Sequence, residues 1–133
     1  MTGANRIANA QADLAAARDA LKVAEAALGI GVVRDAMSRT YFAAFHAARA
    51  LLLLEGYEPK THGGLSSLFG EHLVRSGKID GKYAMLLTRL QAYRQASDYA
   101  FAFTATVEDV RAEIVQAVAL LKLAENAASA AET

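Results

Sequence analysis

The feature that most constrains this chain is how few residues in it can stop a helix. It has one proline and nine glycines in 133 residues. Glycine takes the left-handed conformation that closes helices, and proline cannot continue a helix. These residues stand mainly at three places, near positions 29–31, 56–64 and 77–81. The sequence therefore predicts long helices joined by short turns.

Apolar residues recur at helical spacing between these breaks. In the first interval Ile7, Leu14, Leu21 and Leu28 are seven residues apart and alternate with alanines, which is a heptad-like seam. This helix is predicted to end near residues 29–31, and the next three cover about 32–55, 64–75 and 81–99. The last one follows a cap at Thr106. We expect an all-α, up-and-down bundle of four long helices plus one short helix, in a single domain over residues 1–133 with a frayed tail at about 127–133.

Composition excludes several classes of protein. Lys and Arg together number 14, as do Asp and Glu, so any binding of nucleic acid must be local. The chain has no cysteine, which fits a reducing compartment, and its first residues carry no secretory signal, so we expect a cytoplasmic protein. The longest apolar stretch, residues 41–54, contains His46 and Arg49 and is shorter than the roughly 20 residues that span a bilayer. We therefore expect no membrane association.

Metal and cofactor chemistry is not expected either. Di-iron bundles use Glu-x-x-His pairs, and none of the three histidines has a glutamate three positions before it. His-x-x-x-His, a nucleophile elbow and Gly-x-Gly-x-x-Gly are also missing from the sequence. The sequence thus predicts neither a metal centre nor a bound cofactor.

A polar stripe interrupts the second predicted helix. It contains Asp35, Ser38, Arg39, His46 and Arg49, and Arg39 and His46 lie on nearly the same face because they are seven residues apart. One interpretation is a solvated face in which arginine stems cover alanines and His46 is hydrogen-bonded nearby. The other is a binding site.

The fourth predicted helix ends in a group of cationic and aromatic residues. Arg94 and Asp98 are four residues apart and can pair. Arg89, Tyr93 and Tyr99 are close to them in the sequence, as phosphate binding and base stacking would require. The alternative is a set of core tyrosines beside a structural ion pair.

A loop before the third helix carries His62, followed by Gly63 and Gly64. Free backbone N–H groups at a helix start favour an anion, and glycines allow it to approach closely, so His62 is a candidate phosphate ligand. The loop lacks the Gly-Lys-Ser/Thr ending of a nucleotide-binding P-loop, so a structural turn is the alternative. His72 is expected at the surface.

The middle of the chain resembles a HEPN domain, in particular the uncharacterised prokaryotic branch of that superfamily. The resemblance is carried by residues 38–52 (SRTYFAAFHAARALL), Gly56, residues 60–62 (KTH), residues 69–72 (FGEH), Gly77 and residues 94–99 (RQASDY). It covers about residues 35–101, half the chain. It implies a helical bundle that often dimerises and is frequently encoded beside a minimal nucleotidyltransferase, as one half of a toxin–antitoxin pair.

Active members of this family cut RNA without metal, through an arginine followed after four to six residues by a histidine. The pair supplies a general base and a cation for the phosphate. When the motif is aligned on Arg94, the histidine position holds Tyr99, whose phenol titrates near 10. Arg39 and His46 have six residues between them and satisfy the spacing, but they lie on an earlier helix.

Three functional hypotheses follow. The first is an RNA- or nucleotide-binding module, a homodimer, that uses Arg39, His62, Arg94, Asp98 and Tyr99. The second is a metal-independent endoribonuclease toxin with Arg94 and His46 as catalytic residues, which requires an imidazole within reach of Arg94. The third is a non-catalytic partner that docks a nucleotidyltransferase through the seam of the first helix.

Overall fold

The computed structural model describes residues 2–96 and 104–133, and most of them are helical. A π-helical turn over Gly70–Val74 continues the third helix directly. The predicted all-α fold is confirmed. The described residues form five α-helices: α1 (Gly3–Gly29), α2 (Val33–Leu54), α3 (His62–Phe69), α4 (Lys82–Ala96) and α5 (Val107–Glu132).

Helix α2 forms the centre of the bundle and packs against α1, α3, α4 and α5. Its buried face is rich in alanine, and so is the buried face of α1, which allows the two helices to lie close together. The seam predicted on α1 lies in this core: Leu14 and Leu21 are buried, and so are Ala10, Ala17 and Ala24. The seam is therefore occupied by the chain's own helices.

Two predicted helix ends are confirmed. The Thr106 hydroxyl accepts a hydrogen bond from the Asp109 backbone N–H (3.1 Å), and the Asp109 carboxylate accepts one from the Thr106 N–H (2.9 Å), which is a complete capping box. Gly77 has φ +80° and closes the segment that precedes α4.

Two other ends differ from the prediction. The third helix begins at His62, two residues early, because the Thr61 hydroxyl caps it by accepting from the Gly64 N–H (2.9 Å). The tail at about 127–133 was predicted to fray, and this is wrong: α5 continues to Glu132. Ala128 is buried, and Gln11 Nε2 donates to Glu132 Oε1 (3.0 Å). The predicted end of the fourth helix, near residue 99, lies outside the described residues.

Helix α5 is also long and apolar enough, by length and composition alone, to cross a membrane. Core helices of bundles share this property. Its buried positions, which include Val110, Ala117 and Leu121, pack into the core with α1, α2 and α4.

The capping box gives a stability prediction. Thr106→Ala is expected to lower the free energy of unfolding by about 1 kcal/mol, because it leaves the Asp109 N–H in the first turn of α5 without its acceptor. Urea unfolding monitored by far-ultraviolet circular dichroism measures the change. The matched control is Thr104→Ala, which removes an exposed hydroxyl just before the cap; equal stability of the two variants would contradict the capping role.

Candidate functional site

Three helices bring a tyrosine, a histidine and an arginine together. The Tyr41 hydroxyl on α2 lies 3.0 Å from Nδ1 of His62, the first residue of α3. Nε2 of His62 lies 3.3 Å from the Ser66 hydroxyl, one helical turn further on. The Arg94 guanidinium, from the last turn of α4, lies over the Tyr41 ring, with Cζ 5.3 Å from the ring centroid.

Aromatic rings of α2 extend this group. The Arg94 Cζ also lies 5.1 Å from the ring centroid of Phe42, and the Phe45 and His62 rings are nearly parallel, with centroids 6.4 Å apart. Tyr41, Phe42, Phe45, His62 and Arg94 are called the Arg94 cluster below. It combines a planar cation with ring faces, which are the groups that bind phosphate and stack on bases.

Burial and charge set the protonation of this cluster. Burial lowers the pKa of His62 and the positive charge of Arg94 lowers it further, so the imidazole is neutral at pH 7. Burial raises the pKa of Tyr41, with Arg94 acting in the opposite direction, so the phenol is neutral as well. The neutral imidazole carries one ring proton: on Nδ1 it is donated to the Tyr41 hydroxyl, and on Nε2 to the Ser66 hydroxyl, so the tautomer sets the direction of both hydrogen bonds.

A second polar group lies between α1 and α2. Asp13 is only 4% exposed, and its carboxylate accepts from His46 Nδ1 (2.8 Å) and from Arg49 Nη1 (3.2 Å to Oδ2). Arg49 Nε also donates to the Pro59 carbonyl (3.4 Å). Asp13, His46 and Arg49 are called the Asp13 network below. His46 is hydrogen-bonded, as the solvated-face interpretation expected, but its partner is a buried carboxylate.

The structure unites some of the predicted site residues and separates others. His62 and Arg94 both contact Tyr41. Arg39 lies beside them, because its Cζ is 5.6 Å from the ring centroid of Phe42. His46 is held by Asp13 instead. The imidazole that shares a partner with Arg94 is thus His62. Asp98 and Tyr99 lie outside the described residues.

Two further expectations change. Arg89 makes a bidentate pair with Glu113 of α5 (3.0 Å for each bond), which raises the pKa of Arg89 and ties α4 to α5. It therefore belongs to a structural ion pair. His72 is half-buried, because its ring stacks on Tyr57 with centroids 3.9 Å apart.

Sequence reasoning missed several residues of these two groups. Tyr41 falls at the helical spacing of the apolar residues of α2 and is buried, 5% exposed, as that spacing predicts. Periodicity does not show that its hydroxyl also contacts His62. Asp13 carried a detectable signal, an acidic residue directly before Leu14 in an apolar seam. Within residues 2–96 and 104–133, no three His, Asp or Glu side chains converge as metal ligands would.

The lowered pKa of His62 predicts how stability varies with pH. The unfolded chain takes up a proton on this imidazole near pH 6.5, before the folded chain does, so acidification favours unfolding. The stability that the neutral His62 contributes to the folded state is therefore present at neutral pH and is lost as the pH falls below about 6.5. We expect the difference in unfolding free energy between about pH 7.5 and pH 5.5 to be smaller in His62→Gln than in the wild type. Urea titrations at both pH values measure this difference. A difference as large in His62→Gln as in the wild type would contradict a lowered pKa of His62 in the folded chain.

Comparison with known proteins agrees with this architecture. The model of the HEPN domain family matches residues 10–127. The “UPF0332 protein PH1297” of Pyrococcus horikoshii is 52% identical over 58 residues, which cover 44% of this chain and 41% of that protein. The “Putative toxin MJ0605” of Methanocaldococcus jannaschii is 36% identical over 89 residues, 67% of this chain and 66% of that protein. A UPF0332 protein of Gloeobacter violaceus is 33% identical over 66% of this chain and 71% of its own length. The chain thus matches less than two thirds of the length of the first two.

Proposed function

Because the chain belongs to the HEPN domain family, we propose that it is an RNA- or nucleotide-binding module and that the Arg94 cluster binds the phosphate. The observation that carries this proposal is the position of the Arg94 guanidinium, over the rings of Tyr41 and Phe42 and beside the neutral imidazole of His62. A guanidinium binds phosphate through paired hydrogen bonds, and ring faces accept a stacked base.

The electrostatics of the cluster suit an anion. The chain has no net charge, so a phosphate is attracted by local cations and not by the whole surface. His62 is kept neutral partly by Arg94. A phosphate bound at Arg94 offsets that charge, so the pKa of His62 rises and the imidazole can take up a proton and donate to the ligand. Binding of phosphate and of a proton are therefore expected to be coupled.

A second candidate function is metal-independent cleavage of RNA, and the state of His62 favours it. A neutral imidazole beside a guanidinium has the two groups that the reaction needs. In the tautomer that carries the ring proton on Nδ1, Nε2 of His62 would take the proton from a ribose 2′-hydroxyl as that oxygen attacks the adjacent phosphorus, and Arg94 would stabilise the charge that develops on the phosphate. The bond to the 5′-oxygen of the next nucleotide breaks and that oxygen takes up the proton that His62 had accepted, which leaves a 2′,3′-cyclic phosphate and a 5′-hydroxyl. In this scheme His62, and not His46, is the base.

The cellular role that we propose is one component of a toxin–antitoxin system. The name “Putative toxin” of the Methanocaldococcus jannaschii relative supports this role. A homodimer and a minimal nucleotidyltransferase partner are part of the same proposal, and they rest on the sequence resemblance alone. Sedimentation of the purified chain, alone and with such an enzyme, tests both.

Fluorescence anisotropy with a labelled single-stranded RNA octamer, in EDTA, tests the binding proposal. We expect saturable binding that weakens steeply with added salt, because phosphate contacts release counterions. Gel analysis of the same samples shows whether the RNA is cut. Binding without cutting supports the module, and cutting supports the second candidate. An octamer that neither binds nor is cut contradicts both.

A further inference from the structure

A groove between α1 and α2 adjoins the Arg94 cluster. It encloses about 320 Å³, a volume in the range of small-molecule sites. Three small apolar side chains of α1 line it, together with Phe42, Asp19, Arg39 and His46. Phe42 belongs to both sites: the groove contains its ring, and Arg94 lies 5.1 Å from the centroid of that ring. A ligand held at Arg94 can therefore reach the groove across one side chain.

The Asp13 network fixes one wall of this groove. The buried Asp13 carboxylate holds Nδ1 of His46, so Nε2 is the ring nitrogen left for a ligand. Within the described part of the chain Nε2 has no hydrogen-bond partner. A buried carboxylate is costly unless it is paired, and its pairing here orients an imidazole at the edge of a half-open groove.

The remaining lining groups indicate which ligand fits. Phe42 and the apolar side chains of α1 offer a surface for a flat ring, and Arg39 lies 5.6 Å from the same Phe42 centroid. Asp19 is exposed and forms no ion pair in the described ranges. Its carboxylate repels a phosphate but accepts hydrogen bonds from an amino group. The groove thus suits a base better than a phosphate.

We propose that this groove binds a nucleobase with an exocyclic amino group, adjacent to the phosphate on the Arg94 cluster. The inference rests on the proposed RNA binding and adds a base preference to it. The ring lies against Phe42, Asp19 accepts from the amino group, and Arg39 donates to the phosphate that links this nucleotide to its neighbour. Uracil has a carbonyl where cytosine has the amino group, so Asp19 disfavours uracil.

The test compares two RNAs whose bases differ in that amino group. Anisotropy titrations use labelled octamers of cytidine and of uridine with the wild type, with Asp19→Ala, and with Glu25→Ala as a matched control. Glu25 is exposed on the same helix, so its removal changes the charge equally. We expect the wild type to bind the cytidine octamer about tenfold more tightly. The preference is expected to disappear in Asp19→Ala and to persist in Glu25→Ala.

Other outcomes distinguish a failure of the base site from a failure of the proposed RNA binding. Equal binding of both octamers by the wild type overturns the base site and leaves RNA binding intact. A cytidine preference that survives in Asp19→Ala also overturns it, because the preference then arises elsewhere. If neither octamer binds, the proposed function fails, and the base site fails with it.

Discussion

Replacing Arg94 with alanine is expected to weaken the binding of a single-stranded RNA octamer by about tenfold to a hundredfold. Charge-assisted hydrogen bonding to phosphate contributes about 1.5–3 kcal/mol, and about 1.4 kcal/mol corresponds to a factor of ten in affinity. The alanine variant also loses the cation that lies over Tyr41 and Phe42. Anisotropy titration in EDTA measures the loss.

Two matched variants show whether the loss belongs to the guanidinium. Lys82→Ala removes one positive charge from the other end of α4 and is expected to change the affinity less than threefold. Arg94→Lys keeps the charge but not the paired donors, so its affinity should lie between those of the wild type and Arg94→Ala. If Lys82→Ala weakened binding as much as Arg94→Ala, binding would depend on net charge and not on the Arg94 cluster.

Replacing Asp13 with alanine is expected to have the largest effect on stability, about 2–3 kcal/mol, because it removes the carboxylate that satisfies His46 and Arg49. The His46 and Arg49 side chains are each about 30% exposed, so water recovers part of the loss. Urea unfolding measures the change.

The control for Asp13 is Asp19→Ala, which removes an exposed carboxylate six positions further along the same helix. It is expected to alter the free energy of unfolding by no more than about 0.5 kcal/mol. Asp13→Asn keeps the shape of the side chain without its charge, and its free energy of unfolding should lie between those of Asp13→Ala and Asp19→Ala. An Asp13→Ala protein as stable as the wild type would contradict a structural role for the Asp13 network.

The fold was largely predictable because helix breakers and apolar periodicity are local signals. The cap at Thr106 was read correctly, since its hydroxyl and the Asp109 carboxylate are three residues apart in the sequence. The end of α5 was not, because residues 127–132 contain four alanines and no long apolar side chain. A hydrogen bond from Gln11, 121 residues away in the sequence, helps to stabilise that end. No local pattern predicts such a contact.

The candidate site was predicted only in part for the same reason. Arg94 and His62 were found separately by their residue types, but Tyr41, which contacts both, is a core residue whose spacing predicts only its burial. His46 was paired with Arg39 by spacing along one helix, whereas its strongest contact is with Asp13 on another. Contacts between α1, α2 and α4 depend on how the helices pack, and no local sequence pattern predicts them.

The measurement that tests the central claim most directly is a nuclear magnetic resonance titration that follows the His62 imidazole while single-stranded RNA is added. If the Arg94 cluster binds phosphate, the His62 ring signals shift saturably, its pKa rises, and both effects disappear in Arg94→Ala. If the RNA binds while the His62 signals and its pKa stay unchanged, the RNA lies elsewhere and the Arg94 cluster is not the site.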